Sequence, residues 1–123
     1  NNLIITTKGE SISILRDTTI ALGFNSTSIF EAIARGIPVI VPNFGECKNE
    51  KYKPYFIDFS NTDIITTNSI KSLRNEINKL LFEKPKINKD LTSNQKMLLE
   101  EWVGNSDGGS NKRLLNEFKN ELD

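Results

Sequence analysis

The chain has 123 residues, 37% hydrophobic and 26% charged, a length and mix that suit one folded core and leave no room for an independent second domain. Its 16 Lys and Arg balance 16 Asp and Glu, so no net field draws it to nucleic acid or to an anionic bilayer, and no apolar run approaches the roughly 20 residues of a membrane-crossing helix. There is no His and only one Cys, Cys47, which excludes an internal disulfide, a zinc site of the usual ligands, and a Ser-His-Asp or Cys-His mechanism built from this chain alone.

Leu3-Ile4-Ile5-Thr6-Thr7 reads as a short strand, broken by Lys8-Gly9-Glu10 before Ser11 opens a short helix carrying Ile12, Ile14 and Leu15. The β-rich run Thr18-Thr19-Ile20-Ala21-Leu22-Gly23-Phe24 follows, and Asn25-Ser26-Thr27-Ser28 supplies helix-capping residue types at its end. A helix over 27–35 places Ile29, Phe30, Ile33 and Ala34 on one face and Glu31 and Arg35 on the other; Gly36 stops it and Pro38 forbids its continuation. Val39-Ile40-Val41-Pro42 has no polar alternation, as expected of a strand buried on both faces of a parallel sheet. Residues 20–41 therefore read as a βαβ unit with a right-handed crossover expected.

Residues 43–54 read as a polar surface loop. The next strand is either Tyr55-Phe56-Ile57-Asp58-Phe59 or Ile64-Ile65-Thr66-Thr67, and local pattern does not choose between them. Asn68-Ser69 can cap an amphipathic helix with Ile70, Leu73, Ile77, Leu80 and Leu81 on one face, ended by Lys84-Pro85. A further helix over 95–102 leads into Gly104-Asn105-Ser106-Asp107-Gly108-Gly109, and a last helix from Ser110 is expected to bury Leu114, Leu115, Phe118 and Leu122. The expected fold is a single α/β domain, a Rossmann-like parallel sheet with flanking helices.

In such a sheet ligands bind beyond the carboxyl ends of the strands. The turn Gly23-Phe24-Asn25-Ser26-Thr27 puts a helix start there, where unpaired N–H groups, the helix dipole and the hydroxyls of Ser26, Thr27 and Ser28 suit a phosphate. The plainer alternative is purely structural: Ser28-Ile29-Phe30-Glu31 fits a capping box, and Glu31 with Arg35 fits an i,i+4 ion pair. Asn43, Gly45 and Glu46 follow the Val39-to-Pro42 strand and so are expected on the ligand side of the sheet. Nothing near Cys47 in sequence would activate a thiol, and Trp102 and the aromatic residues of 52–59 read as core or interface groups, not as a base-stacking platform.

The string from Gly23 to Ile40, GFNSTSIFEAIARGIPVI, resembles the strand, turn-helix and following strand of GT-B glycosyltransferases and their relatives in capsule and surface-polysaccharide synthesis. The resemblance implies that Asn25, Ser26 and Thr27 face the diphosphate of a nucleotide-sugar donor and that Glu31 binds the ribose. Many retaining members carry another Glu eight residues before that one, near the donor sugar; Gly23 stands there, so no catalytic carboxylate is implied in this turn. Asp107-Gly108-Gly109-Ser110-Asn111-Lys112-Arg113 is similar to a "DG-x-S/A-x-x-R" element of polysaccharide-synthesis transferases, which implies Arg113 as a phosphate contact; a turn plus a helix cap explains it equally well. Asn43 joins these as a substrate-side candidate.

The implied protein is the donor-binding part of a cytoplasmic sugar transferase, with a carbohydrate acceptor and no metal or prosthetic group. Its acceptor site and catalytic base would come from an N-terminal domain beyond this chain, which begins at Asn1 and not at Met. Such a longer protein could associate peripherally with a membrane. The alternatives are a sugar-nucleotide 2-epimerase or polyol-phosphate transferase of the same fold, and a non-catalytic α/β interaction module.

Overall fold

A computed structural model of the protein describes residues 11–83, 90–105 and 107–120. The elements run α1 (Ser11–Leu15), β1 (Ala21–Leu22), α2 (Thr27–Ala34), β2 (Val39–Pro42), the short 3-10 turns Gly45–Lys48 and Lys53–Tyr55, β3 (Ile65–Thr67), α3 (Ile70–Glu83), α4 (Ser93–Val103) and α5 (Ser110–Asn120). The run Leu3-Ile4-Ile5-Thr6-Thr7 and the Lys84-Pro85 stop lie outside the described residues.

The sheet is three-stranded in the order β1-β2-β3, parallel throughout. Ala21 lies opposite Val39, and Val41 opposite Thr66. All four residues of β2 are buried, as its uninterrupted apolar run requires of a central strand. Helices cover both faces. Ile29, Phe30 and Ile33 of α2 and Leu98 and Leu99 of α4 share one core with Val39 and Val41. Alternation along the strand turns Ile40 the other way, toward the side on which α3 meets β2 and β3. Phe30 also stacks on Trp102, ring centroids 5.9 Å apart and planes 18° from parallel, tying α4 to α2.

The ends of α2 follow from particular residues. Ser26 is its N-cap, in extended conformation, and its hydroxyl accepts from Ser28 N–H, so the cap lies two residues before the Ser28 of the capping-box alternative. At the other end Gly36 has φ 70°, its N–H donates to Ile33 O, and Ile37 N–H donates to Ala32 O, the paired bonds of a Schellman stop that needs a left-handed residue. α3 is capped by Ser69, whose hydroxyl accepts from Ser72 N–H at 3.1 Å.

Two expectations about apolar faces are corrected. On α3, Leu80 is buried but Ile70 and Leu81 are exposed, because only part of the stripe reaches the sheet. On α5, Leu114, Leu115 and Phe118 remain 57–59% exposed, since the helix has amphipathic spacing but no element among the described residues covers that face; Leu122 lies outside them. The strand expected over 18–24 is also shorter, only Ala21 and Leu22 being paired. Of the two candidates for the third strand, Ile65–Thr67 is in the sheet.

α4 is held at its start by a carboxylate from another part of the chain. Thr92 caps it with a complete capping box to Gln95, while Asp63 accepts from Thr92 Oγ1 at 2.5 Å and from Asn94 Nδ2 at 3.1 Å. Those hydrogen bonds, Thr92 first, hold the Asp63 carboxyl below its ordinary value near 3.8. A depressed carboxyl contributes stability that is present above its unfolded-state pKa and lost as pH falls through its folded-state pKa. The stability gap between wild type and Asp63→Asn, measured by urea unfolding, is therefore expected to be present at pH 7 and to close below about pH 4.

Candidate functional site

The carboxyl ends of the strands carry two adjoining features. One is the start of α2, reached from β1 through Gly23, Phe24 and Asn25. The other is a cleft of about 650 Å³ whose floor includes Val41, Pro42 and Thr66 from the ends of β2 and β3. Phe24 of the β1–α2 turn lines it on one side. The chain leaving β2 passes Asn43, turns at Cys47 and Lys48, and comes back so that Lys53, Phe56, Ile57, Asp58, Phe59 and Ser60 form the facing wall. The lining thus combines apolar and aromatic residues with two lysines and the carboxylates of Glu50 and Asp58.

The amide of Asn25 bridges the turn and the loop. Its Nδ2 donates to Tyr55 O at 2.7 Å and its Oδ1 accepts from Ile57 N–H at 3.2 Å, so one side chain pairs with the loop as a strand edge would. Asn43 N–H donates to Thr67 O at 2.6 Å, prolonging the β2–β3 ladder to the lip of the cleft. In the facing wall Asp58 accepts from Ser60 N–H at 2.8 Å. Its hydrogen bonds to the Ser60 side chain and backbone keep the carboxyl below the ordinary range, hence ionised and an acceptor at neutral pH.

The six residues singled out by sequence divide accordingly. Asn43 lines the cleft. Ser26 and Thr27 are exposed at the start of α2, beside Phe24, with the Ser26 hydroxyl 2.7 Å from that of Ser28; Glu31 is half-buried on the next turn. None of these three lines the cleft, and the amide of Asn25 is engaged by the loop. Arg113 sits on α5, away from the cleft lining, with Nη1 2.9 Å from both carboxylate oxygens of Asp107. Asp107 also accepts from Gly109 N–H at 2.7 Å; this bond, then Arg113, lowers its pKa. The Asp107-to-Arg113 element is therefore a closed turn-and-cap network in which the arginine already has its carboxylate.

Sequence reasoning does not single out Lys48, Lys53, Phe56, Asp58 and Ser60. They sit in a loop without periodicity, and the only local signal is the Asp58-x-Ser60 turn pattern. Cys47 also borders the cleft and is partly accessible. Compared with protein-family models, curated proteins and solved structures, the chain matches none.

The opposite end of the sheet has a smaller cleft of about 240 Å³, lined by Pro38, Asp63, Asp90, Thr92 and Gln95 among others. Among the described residues its lining carries two carboxylates, whereas the carboxyl-end site offers lysines, hydroxyls and a helix N-terminus. No helix among the described residues is long and apolar enough to cross a membrane.

Proposed function

We propose that the protein binds a nucleotide-sugar at the carboxyl ends of its strands, as the donor half of a glycosyltransferase acting on a surface polysaccharide or glycoconjugate. The observation that supports this reading is the junction of the α2 start with the cleft through Phe24. A diphosphate at the backbone N–H groups and hydroxyls of Ser26 and Thr27 has an apolar, aromatic-lined space within reach for the rest of the donor. Glu31 on the next turn supplies a carboxylate to accept two adjacent ribose hydroxyls. Lys48 offsets part of the ligand's negative charge, while Lys53, 3.5 Å from Glu50, already has a counter-ion.

In this role the chain assists departure of the nucleoside diphosphate by stabilising developing negative charge with fixed dipoles and hydroxyl donors. The base that activates the acceptor is assigned to a separate domain. Calorimetric titration of the folded chain with UDP, GDP and CMP is expected to show saturable binding of at least one, weakened about tenfold or more by Glu31→Ala, the loss of a charge-assisted contact. Absence of binding to all three by the folded chain, together with unchanged activity of a full-length Glu31→Ala enzyme, would overturn the assignment.

A further inference from the structure

We propose that Asn25 is a positioning residue, a clasp that holds the facing wall of the cleft against the β1–α2 turn, and not a ligand of the diphosphate. The inference rests on the cleft being the donor site proposed above, but the clasp can be tested without ligand. Asn25 Nδ2 reaches Tyr55 O and its Oδ1 takes Ile57 N–H, across 30 and 32 residues of sequence. A side-chain amide has one acceptor and one donor group spaced like those of a peptide unit, and here both are matched to the backbone on either side of Phe56. Phe56 and Ile57 line the cleft on the loop side and Phe24, adjacent to Asn25, lines it on the turn side. The two neighbouring residues thus have separate roles, Phe24 contributing surface and Asn25 setting the distance to the opposing wall.

The wall has little else of this kind to hold it. Tyr55 is 75% exposed, and the turns at Gly45–Lys48 and Lys53–Tyr55 bury no residue. Phe59, 4% exposed, and Ile57, packed against the core, anchor the far end of the segment, so release of Asn25 frees residues 53–56 and strips the Ile57 amide of its acceptor while Phe59 stays in place.

Amide hydrogen exchange and the alkylation rate of Cys47, the only thiol, test the clasp in the ligand-free chain. In the wild type, the Ile57 amide is expected to be protected relative to an unpaired loop amide. Asn25→Ala is expected to speed its exchange and Cys47 alkylation about tenfold, with exchange in α3 unchanged. Asn25→Asp is expected to exchange at Ile57 faster than wild type but slower than the alanine variant at pH 7, because its carboxylate still accepts from Ile57 N–H but repels Tyr55 O instead of donating to it. Near pH 4 the introduced carboxyl gains a proton to donate, and Ile57 exchange returns toward that of wild type at the same pH.

An unprotected Ile57 amide in the wild type overturns the clasp without any variant, as does unchanged Ile57 exchange in Asn25→Ala. If Asn25 instead ligates phosphate, both variants weaken nucleotide binding with ligand-free exchange unaltered. A wild type that binds no nucleotide but shows clasp-dependent exchange removes the donor assignment and leaves the clasp.

Discussion

Ile40→Ala is expected to lower the stability of the fold by about 3 to 4 kcal/mol, a large part of the 5–15 kcal/mol typical of a single domain. Ile40 is fully buried, at 0% exposure, in the middle strand of the sheet. Its backbone pairs in register with Leu22 on one side and Ile65 on the other, so the void left by three missing carbons cannot be filled by sliding a single element. The cost combines lost burial with an unfilled cavity. Urea unfolding followed through Trp102, the only tryptophan, should show a lower midpoint with an unchanged slope. Phe82→Ala is the matched control: its ring is 93% exposed, and its removal should change stability by no more than about 0.5 kcal/mol. Because β2 continues into Pro42 and Asn43 at the cleft, partial loosening of the strand should also weaken ligand binding before the chain unfolds.

The second large effect is expected at Gly23. A Cβ placed there would lie 3.0 Å from Ile29 Cγ1 and 3.1 Å from Ile29 Cδ1. Ile29 is only 2% exposed, so its side chain must move within a packed core to make room. Gly23→Glu, which places a carboxylate where retaining members of the resembling family have one, should therefore cost about 2 kcal/mol through overpacking and should not create a catalytic group. Gly23→Ala should cost less, because only the Cβ intrudes. Thermal melting of both variants checks the order, and wild-type stability in Gly23→Glu would show that the turn has room the geometry denies it. α2 lies so close to the end of β1 that position 23 has little room for any side chain.

The sequence makes α2 and its surroundings readable because each boundary is set by a local residue: Ser26 caps the helix, Gly36 supplies the left-handed stop, and Pro38 bars a further turn. β2 is readable for the same reason, an apolar run too short for a helix and too uniform for a half-exposed strand. The third strand is not. Tyr55-Phe56-Ile57-Asp58-Phe59 and Ile64-Ile65-Thr66-Thr67 have similar β character, and the choice depends on distant partners: Asn25 engages the first as loop outside the sheet, while Val41 and Pro42 pair with the second.

The cleft is illegible for a related reason. Lys48, Phe56 and Asp58 acquire a common surface only when the loop folds back onto the turn, and no spacing rule encodes that return. Helical spacing at Leu114, Leu115 and Phe118 correctly specifies an amphipathic helix, but spacing identifies an apolar face without naming what it packs against.

The stack of Phe30 on Trp102 bears on how the site can respond to a ligand. Phe30 and Glu31 are consecutive on α2, and the helix is in contact with α1, β1, β2 and α4 together. A helix held on so many sides has no soft direction in which to tilt, so its N-terminal N–H groups are already where an anion would meet them. The ordering cost of forming that half of the site is met during folding. Under the proposed donor role, fitting ligands of different size falls to the loop across the cleft, whose two short turns bury no residue, and selectivity is expected to reside there and not in the helix.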